Sequence, residues 1–366
     1  MPELLVIAEQ LLAPVPGGTG RYTRELLRAL AATAPDDWEV TSAVSRTAHP
    51  GSAAVDGVHG PKVLPLPRKA LIGAWERGLP WWPGGDSVHA MTPLAPPRRR
   101  GRGLVVTVHD TVPWTHPETL TPRGVRWHRR AVRRAAAQAD ALIVPTEAVA
   151  ADLAGRVPTR AEIHVAGEGI APALLTEPEP DCSRVLAATL PPRYILAIGT
   201  IEPRKGHEHL ARALAQPEAP DVPLVVVGEQ GWGGVDLPRI AEHHGLPPER
   251  IRLLRGVDDA ELGILIRRAA AVAMPSLAEG FGLPVLEAMA LGVPVAHSDD
   301  PALVEVAGGA GIAAPPGDPA ALARALRSAV DDEPLRAELI AAGRRRAAEF
   351  DWHRTARAVW RAHLHR

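Results

Sequence analysis

Short apolar runs alternate with alanine-rich helical segments along the whole chain. The runs are β-branched or leucine-rich, as is typical of strands that are buried on both faces of a sheet. This alternation indicates βαβ units on parallel sheets, so we predict an α/β fold. The predicted strands are Leu4–Ala8, Val40–Val44, Leu104–Val108 and Ala141–Val144 in the first half, and Tyr194–Ile198, Leu224–Val227, Ile251–Leu254, Ala271–Met274 and Pro294–Ala296 in the second.

The two groups of strands are separated by a proline-rich segment with little periodicity, APALLTEPEPDCSRVLAATLPPR, which is typical of a linker. A chain of 366 residues is also too long for one comfortable core. We therefore predict two Rossmann-like, doubly wound domains at residues 1–172 and 193–349, joined by a linker at 173–192. If the two sheets face each other, the carboxyl ends of their strands meet at one deep cleft.

Composition and charge exclude several classes of protein. The net charge of −1 argues against binding nucleic acid through bulk charge. The single cysteine, Cys182, cannot form an intrachain disulfide, which fits a reducing cytoplasm. The N-terminus lacks the basic start of a signal peptide, and no apolar run reaches the roughly 18 residues of a spanning helix. We expect a cytoplasmic protein whose membrane contact is at most peripheral.

The stretch SLAEGFGLPVLEAMALGVPV places two carboxylates on either side of a glycine turn. A helix is predicted to begin just after Leu283, whose side chain cannot cap the free backbone N–H groups. Gly280 and Gly282 would let that backbone approach an anion or a sugar oxygen. Glu279 and Glu287 then suit the hydroxyls of a sugar nucleotide. For either glutamate alone, a solvated loop acid or a helix-dipole partner is the better explanation.

Two further motifs follow predicted strands. GGTG at 17–20 forms a loop before the helical RYTRELLRAL, and GTIEPRKG follows the first strand of the second half. Arg204 and Lys205 can neutralise a diphosphate, arginine through its planar fork and lysine as a mobile point charge. Lys205 is one of three lysines among 41 basic residues. A solvated helix start is the alternative, but the position beyond a strand favours binding.

These motifs resemble those of the retaining glycosyltransferases of family four, which have the GT-B architecture. The resemblance covers essentially the whole chain and depends on the combination of motifs, because the glycine loop alone lacks the dinucleotide-binding spacing. The motifs are GGTGRYTRELL, VHDTVPWTHPE, ADALIVPTEA, GTIEPRKG, VVGEQGW, LLRGVDDAEL, PSLAEGFGLPVLEAMALGVPV and RAAEFDWHRTA.

The resemblance implies a role for each motif residue. Glu287 would bind the ribose hydroxyls and Glu279 a hexose hydroxyl, while Arg204 and Lys205 would stabilise the departing diphosphate. His109 would contact the donor sugar, with a structural histidine at a strand end as the alternative. The further donor-binding residues would be Gly18, Gly199, Gly280, Phe281, Gly282, Leu283 and Val257, and the acceptor-binding residues would be Thr19, Gly20 and His89.

The same resemblance implies transfer with retention, in which the leaving phosphate takes the acceptor proton. No cofactor and no obligatory metal are expected. A C-terminal helix at 350–366 would return to the first domain, anchored by Phe350 and Trp352. Two positions depart from the family pattern: Gly206 stands where asparagine is common, and Val257 where an aromatic residue is common. Contacts to the base at 257 would therefore involve the backbone.

Two basic clusters lie in the first half, RRRGR at 98–102 and RGVRWHRRAVRR at 123–134. With Trp75, Trp81 and Trp82 nearby in sequence, they suit an anionic membrane or a phosphorylated lipid acceptor. A solvated basic helix, balanced by acids elsewhere, is the simpler explanation.

The chain is therefore predicted to move a hexose from a nucleotide sugar, bound by the second domain, to a hydroxyl of a glycan, lipid-linked or small-molecule acceptor on the first. GDP-mannose is the favoured donor because HDTVPWTHPETLTP resembles mannosyltransferase members, while UDP-glucose and other nucleotide hexoses stay open. A nucleotide-sugar epimerase of the same fold and a noncatalytic nucleotide-sugar binding protein are the alternatives. The glycine spacing disfavours a nicotinamide dehydrogenase.

Overall fold

The computed structural model describes residues 1–176 and 190–365. The chain divides into two compact units. The N-terminal unit comprises Met1–Pro117, Thr121–Glu168 and Asp351–Arg366, and the C-terminal unit comprises Glu118–Leu120 and Gly169–Phe350. Most of the predicted linker, at 177–189, lies outside the described residues.

The described strands of the N-terminal unit form one parallel sheet. They are β1 (Glu3–Ile7), β2 (Glu39–Arg46), β3 (His59–Pro67), β4 (Ser87–Ala90), β5 (Gly103–Thr107), β6 (Ala141–Val144) and β7 (Glu162–Val165). Across the sheet the order is β3-β2-β1-β4-β5-β6-β7, so the direction of winding reverses between β1 and β4. Such a reversal is the topological switch point beside which open α/β sheets bind ligands.

The C-terminal unit repeats this plan with a second parallel sheet. Its described strands are β8 (Ile195–Ile198), β9 (Leu224–Val227), β10 (Ile251–Leu254), β11 (Ala271–Met274), β12 (Val295–Ser298) and β13 (Ile312–Ala314). The order across this sheet is β10-β9-β8-β11-β12-β13. Its switch point therefore lies between β8 and β11, which pair in parallel.

Helices connect the strands and bury their apolar faces against the sheets. No helix in residues 1–176 and 190–365 is both long and apolar enough to cross a membrane. The described 3₁₀ helices are Glu9–Leu12, Pro50–Ala53, Pro117–Thr119, Pro203–Lys205 and Pro248–Arg250. The described α-helices are α1 (Gly17–Ala32), α2 (Arg68–Glu76), α3 (Val112–Thr115), α4 (Pro122–Gln138), α5 (Glu147–Arg156), α6 (Pro172–Leu175), α7 (His207–Leu214), α8 (Leu237–His243), α9 (Asp259–Arg268), α10 (Leu283–Ala290), α11 (Pro301–Ala307), α12 (Pro319–Asp331), α13 (Glu333–Ala347) and α14 (Trp352–Leu364).

The predicted α/β fold of two doubly wound sheets is confirmed, and every predicted strand matches an observed one to within two residues. Four strands escaped prediction: β3, β4, β7 and β13. Three of them are edge strands, where burial and the apolar pattern are weaker, and β3 contains Pro61 and Pro65, which edges tolerate. The fourth, β4, is central and buried but has only four residues, two of them polar.

The glycine cluster at 17–20 forms the first turn of α1, which corrects the prediction of a loop ahead of that helix. A 3₁₀ helix, Glu9–Leu12, lies between β1 and α1. A Cβ on Gly20 would lie 2.3 Å from the Cβ of Pro16, so the helix can begin this tightly only with glycine there.

The last helix, α14, belongs to the N-terminal unit and packs along α1. Trp352, its first residue, packs against Tyr22 with ring centroids 5.7 Å apart. Phe350 instead contacts Phe281 within the C-terminal unit, at a centroid distance of 5.6 Å. The two aromatic residues that were expected to anchor one helix thus belong to different units.

Candidate active site

Arg204 and Lys205 lie beyond the carboxyl end of β8, in the 3₁₀ turn Pro203–Lys205. The turn ends at Gly206, whose φ of 68° lies in the left-handed region. A Cβ at this position would lie 2.0 Å from the carbonyl oxygen of Pro275, which follows β11. Only glycine therefore lets the two strand ends approach this closely.

The loop after β11 leads into α10, which begins at Leu283 with Gly282 as its N-cap. The predicted start is therefore corrected by one residue. Gly282 has a φ of 95°, and a Cβ there would lie 2.3 Å from Cδ2 of Leu303. No described side chain caps this helix end. Its backbone N–H groups and dipole favour an anion or a sugar oxygen, as the sequence predicted.

Four charged side chains meet at this place, and we call them the charge cluster: Glu202, Arg204, Lys205 and Glu279. Glu279 accepts from Arg204 Nη1 at 2.8 Å and from Lys205 Nζ at 2.7 Å. Arg204 Nη2 lies 3.0 Å from a carboxylate oxygen of Glu202. Because β8 and β11 are neighbours at the switch point, their loops bring these residues together. The sequence did not predict that both cations pair with Glu279.

Backbone contacts hold the two loops together around the charge cluster. The amide of Leu277 donates to the carbonyl of Arg204 at 2.8 Å, and the guanidinium of Arg204 donates to the carbonyl of Ala278 at 3.0 Å. The carboxylate of Asp300 caps α11 and lies close to the backbone amide of Glu279. The position of Glu279 is therefore fixed by three chain segments.

Electrostatics favour the charged form of Glu279. Burial alone would raise its pKa, but the positive charges of Lys205 and Arg204 outweigh burial and hold the pKa of Glu279 at about 2. Burial lowers the pKa of Lys205, and the charge of Glu279 opposes that effect. Each of the two groups therefore keeps its partner ionised.

Lys205 has donors to spare for a ligand. Its ammonium carries three N–H groups, and among the described residues it donates only to Glu279. The side chain is 15% exposed. Gly199, with a φ of 146°, lies at the end of β8, and a Cβ there would come within 3.4 Å of the Lys205 stem. A side chain at 199 would therefore only touch the Lys205 stem, and it is the positive φ that favours glycine there.

The other predicted donor residues of the C-terminal unit lie mainly in its core. Phe281 and Leu283 are buried, and Val257 packs against the same cluster, so ligand contacts at these positions would use the backbone. Gly280 is buried in the loop before α10. Glu287 is completely buried within α10 and offers no exposed surface to a ribose in this conformation.

His109 lies in the N-terminal unit, beyond the carboxyl end of β5. Its Nε2 lies 2.8 Å from the carbonyl oxygen of Met91, so this nitrogen carries the proton and donates it. Burial, above all, lowers the pKa of His109, although the Met91 carbonyl opposes this. The neutral ring therefore has a lone pair on Nδ1, which can accept a hydrogen bond from a hydroxyl.

The acceptor residues predicted in the N-terminal unit differ in accessibility. In the first turn of α1, Gly18 is exposed, Thr19 is half-buried and Gly20 is buried. His89 has no exposed surface, and its ring nitrogens bond to His363 and to a threonine in the core. The expectation that His89 contacts the acceptor directly is therefore corrected: it is a core residue of β4.

Three residues of these sites were not singled out from the sequence. Glu202 lies two positions before Arg204 in the same motif and could have been noticed as its partner. Asp300 could have been noticed because an aspartate before proline is a recognisable N-cap signal. Tyr22, whose ring lies 4.7 Å from that of His109, gave no local signal because the contact depends on tertiary packing.

Two family models match the chain. The model described as Glycosyltransferase Family 4 matches residues 16–174, and the model described as Glycosyl transferases group 1 matches residues 181–346. The chain belongs to the family-four glycosyltransferases. Within the described residues of this family member, no group of three or more histidine, cysteine, aspartate or glutamate side chains is placed to hold a metal ion.

Individual relatives agree with this membership. The O-antigen chain mannosyltransferase B of Escherichia coli is 38% identical over 162 residues, which are 43% of this chain and 42% of that protein. The match thus spans less than half the length of that curated relative.

Solved structures resemble the chain over nearly its full length. Sucrose-phosphate synthase from Thermosynechococcus elongatus has a TM-score of 0.76 at 22% identity, covering 99% of this chain and 98% of the other. Anabaena HepE in complex with UDP-glucose has a TM-score of 0.71 at 20% identity, covering 98% of each chain. Identities this low show the shared fold, the GT-B class of glycosyltransferases, and nothing about substrates.

We predict that Glu279→Gln destabilises this family-four protein by about 3 kcal/mol at pH 7, because the change leaves buried cations without their carboxylate. The lowered pKa means that the stabilisation by ionised Glu279 is complete above its usual 4.5 and is lost as the pH falls towards 2. The stability gap between wild type and variant should therefore shrink below pH 4.5 in denaturant titrations. Glu249→Gln, at an exposed position, is the control. A gap that stays constant from pH 7 to pH 3 would contradict this account.

Proposed function

We propose that the protein is a retaining hexosyltransferase that moves a hexose from a nucleotide sugar to a hydroxyl acceptor. The observation that carries this proposal is the charge cluster beside the uncapped start of α10, at the switch point of the C-terminal sheet. Arginine, lysine and a helix N-terminus together are suited to a diphosphate, and the adjacent carboxylate is suited to hydroxyls.

In the proposed donor complex, Lys205 directs its remaining N–H groups at the diphosphate, and Arg204 adds a second cation. Both are held by Glu279 before the donor arrives, so little rearrangement is needed when charge develops on the leaving group. Preorganised charge of this kind is the largest contribution in many enzymes.

The proposed reaction breaks the bond between the anomeric carbon and the diphosphate oxygen, and the acceptor oxygen bonds to the same face of that carbon. The electron pair of the broken bond stays on the diphosphate, whose oxygen then takes the acceptor proton. Arg204 and Lys205 stabilise the negative charge during this step. The scheme needs no separate general base, no cofactor and no metal.

The hexose is proposed to meet Glu279 and the Nδ1 lone pair of His109, both of which accept from hydroxyls. The backbone from Gly280 to Leu283 and Gly199 would line the donor, and Gly18, Thr19 and Gly20 would face the ligands in the N-terminal unit. Glu287 would reach the ribose only if donor binding uncovers its carboxylate.

GDP-mannose is the proposed donor. The support is the resemblance of HDTVPWTHPETLTP to mannosyltransferases and the mannosyltransferase from Escherichia coli among the relatives. UDP-glucose is the second candidate, as one of the nucleotide hexoses that the sequence motifs leave open. An epimerase and a noncatalytic binding protein would use the same donor site. They are distinguished from a transferase by what becomes of the nucleotide sugar, which an epimerase isomerises and a binding protein leaves unchanged.

We further propose that the protein is cytoplasmic and that α4 makes peripheral contact with an anionic membrane, close to a lipid-linked or glycan acceptor. Within the described residues, four exposed arginines of α4 have no carboxylate partner and lie opposite its buried alanine and valine face. The helix contains no acidic residue. These arginines are Arg123, Arg126, Arg130 and Arg133.

We predict that GDP and GDP-mannose raise the melting temperature more than UDP, UDP-glucose or ADP do. A ligand at a hundred times its dissociation constant stabilises a protein by about 2.7 kcal/mol. Lys205→Ala should lose most of this stabilisation, and the exposed Lys69→Ala should keep it. If none of these nucleotides raises the melting temperature, the proposed function is overturned. Binding accompanied by an isomer of the sugar would identify an epimerase, and binding without turnover would identify a noncatalytic protein.

We also predict that the protein sediments with phosphatidylglycerol-containing vesicles and not with pure phosphatidylcholine, less so at high salt. Each arginine near an anionic surface contributes about 1 kcal/mol. The double change Arg126→Glu and Arg130→Glu should therefore weaken binding by at least roughly tenfold. The matched control is Arg324→Glu with Arg345→Glu, at exposed positions of the C-terminal unit. Equal sedimentation of both double variants would exclude α4 as the contact surface.

A further inference from the structure

A continuous chain of buried polar side chains crosses the N-terminal unit, outside the contacts that the proposed reaction uses. Ser87 Oγ lies 2.6 Å from Nδ1 of His363, and Nε2 of His363 lies 3.1 Å from Nδ1 of His89. Nε2 of His89 lies 2.9 Å from Oγ1 of Thr107, which is 3.4 Å from the hydroxyl of Tyr22. Strands β4 and β5 and helices α1 and α14 each contribute to this chain.

Of the two imidazoles in this chain, that of His89 is held neutral by its surroundings. Burial, and to a smaller extent the nearby His109, hold the pKa of His89 at about 3. The contact between the two rings is satisfied when one ring donates an N–H to the lone pair of the other. Thr107 is the central link, because its one hydroxyl serves both His89 and Tyr22. Deleting that hydroxyl would leave a buried ring nitrogen unpaired and release the hydroxyl of Tyr22.

Tyr22 connects this chain to His109. The Tyr22 ring is buried and meets the His109 ring edge-on, with centroids 4.7 Å apart and planes at 88°. Tyr22 makes a second aromatic contact with Trp352, at the start of α14, with planes at 68°. The imidazole of His109 is thus held at two points: its Nε2–H is bonded to the carbonyl of Met91, and its ring rests against Tyr22.

We propose that Tyr22 is a positioning residue for His109, and that the hydrogen-bonded chain from Thr107 through His89 to His363 holds Tyr22 in place. Both ends of helix α14 then support the His109 ring through Tyr22. Trp352, at one end, packs against Tyr22, and His363, near the other end, bonds to the chain that holds Tyr22. The inference rests on the proposed role of His109 in binding the donor sugar. It also gives His89 a function, as a buried link and not as an acceptor contact.

The first test compares Thr107→Val, which removes the hydroxyl at nearly constant shape, with Thr107→Ser, which keeps it. The assay uses GDP-mannose as donor and methyl α-mannoside as acceptor probe. We expect Thr107→Val to lower kcat roughly tenfold, because a displaced His109 would hold the hexose away from its reacting geometry. The donor KM should change less than about twofold. Thr107→Ser should restore kcat. Tyr22→Phe should resemble Thr107→Val, and the double variant should fall no further, since both changes remove one contact.

The second test needs no turnover. Nitrogen-15 resonances of the His109 ring, recorded in the unligated protein, should move in Thr107→Val and return in Thr107→Ser. Thr41→Val, a buried hydroxyl deletion in β2, controls for stability loss and should leave these resonances in place. Unmoved His109 resonances in Thr107→Val would overturn the proposal. Moved resonances with an unchanged kcat would support the positioning of His109 and refute its role in the reaction.

Discussion

The carboxylate of Glu279, shared by Lys205 and Arg204, is the interaction on which the candidate site depends. Burying charges costs several kcal/mol per ion unless each finds a partner, so none of these side chains could stay in place alone. The pairing joins the loop after β8 to the loop after β11. It also orients the N–H groups of Arg204 and Lys205, which would otherwise be free to turn towards solvent.

The topology of the C-terminal sheet makes this pairing possible. The loops after β8 and β11 lie side by side because the winding reverses between these strands. Glycines at 206 and 282 remove the side chains that would keep the segments apart. The cluster holds two carboxylates and two cations, so its formal charges cancel. In the proposed complex a diphosphate would therefore meet oriented N–H groups and not a large uncompensated charge, and specificity would come from the geometry of those groups.

Most of the fold and the location of this site follow from local patterns. Apolar runs mark the central strands, and glycine, proline and charged residues mark the ends of β8 and β11. The direct pairing of Glu279 with both cations could not be predicted, because it depends on which strands are neighbours. His89 was misplaced because β4 was not predicted from the sequence, and only the packing of α14 against the sheet shows that both ring nitrogens are bonded inside the unit.

The most direct test of the account is the nitrogen-15 signal of the Lys205 ammonium, followed during titration with GDP and with guanosine. We expect GDP to shift this signal and to slow the exchange of its protons, because the diphosphate accepts from the N–H groups that Glu279 leaves available. Guanosine, which lacks the diphosphate, should leave the signal unchanged. A Lys205 signal that GDP does not move, in protein shown to bind GDP, would contradict the central claim.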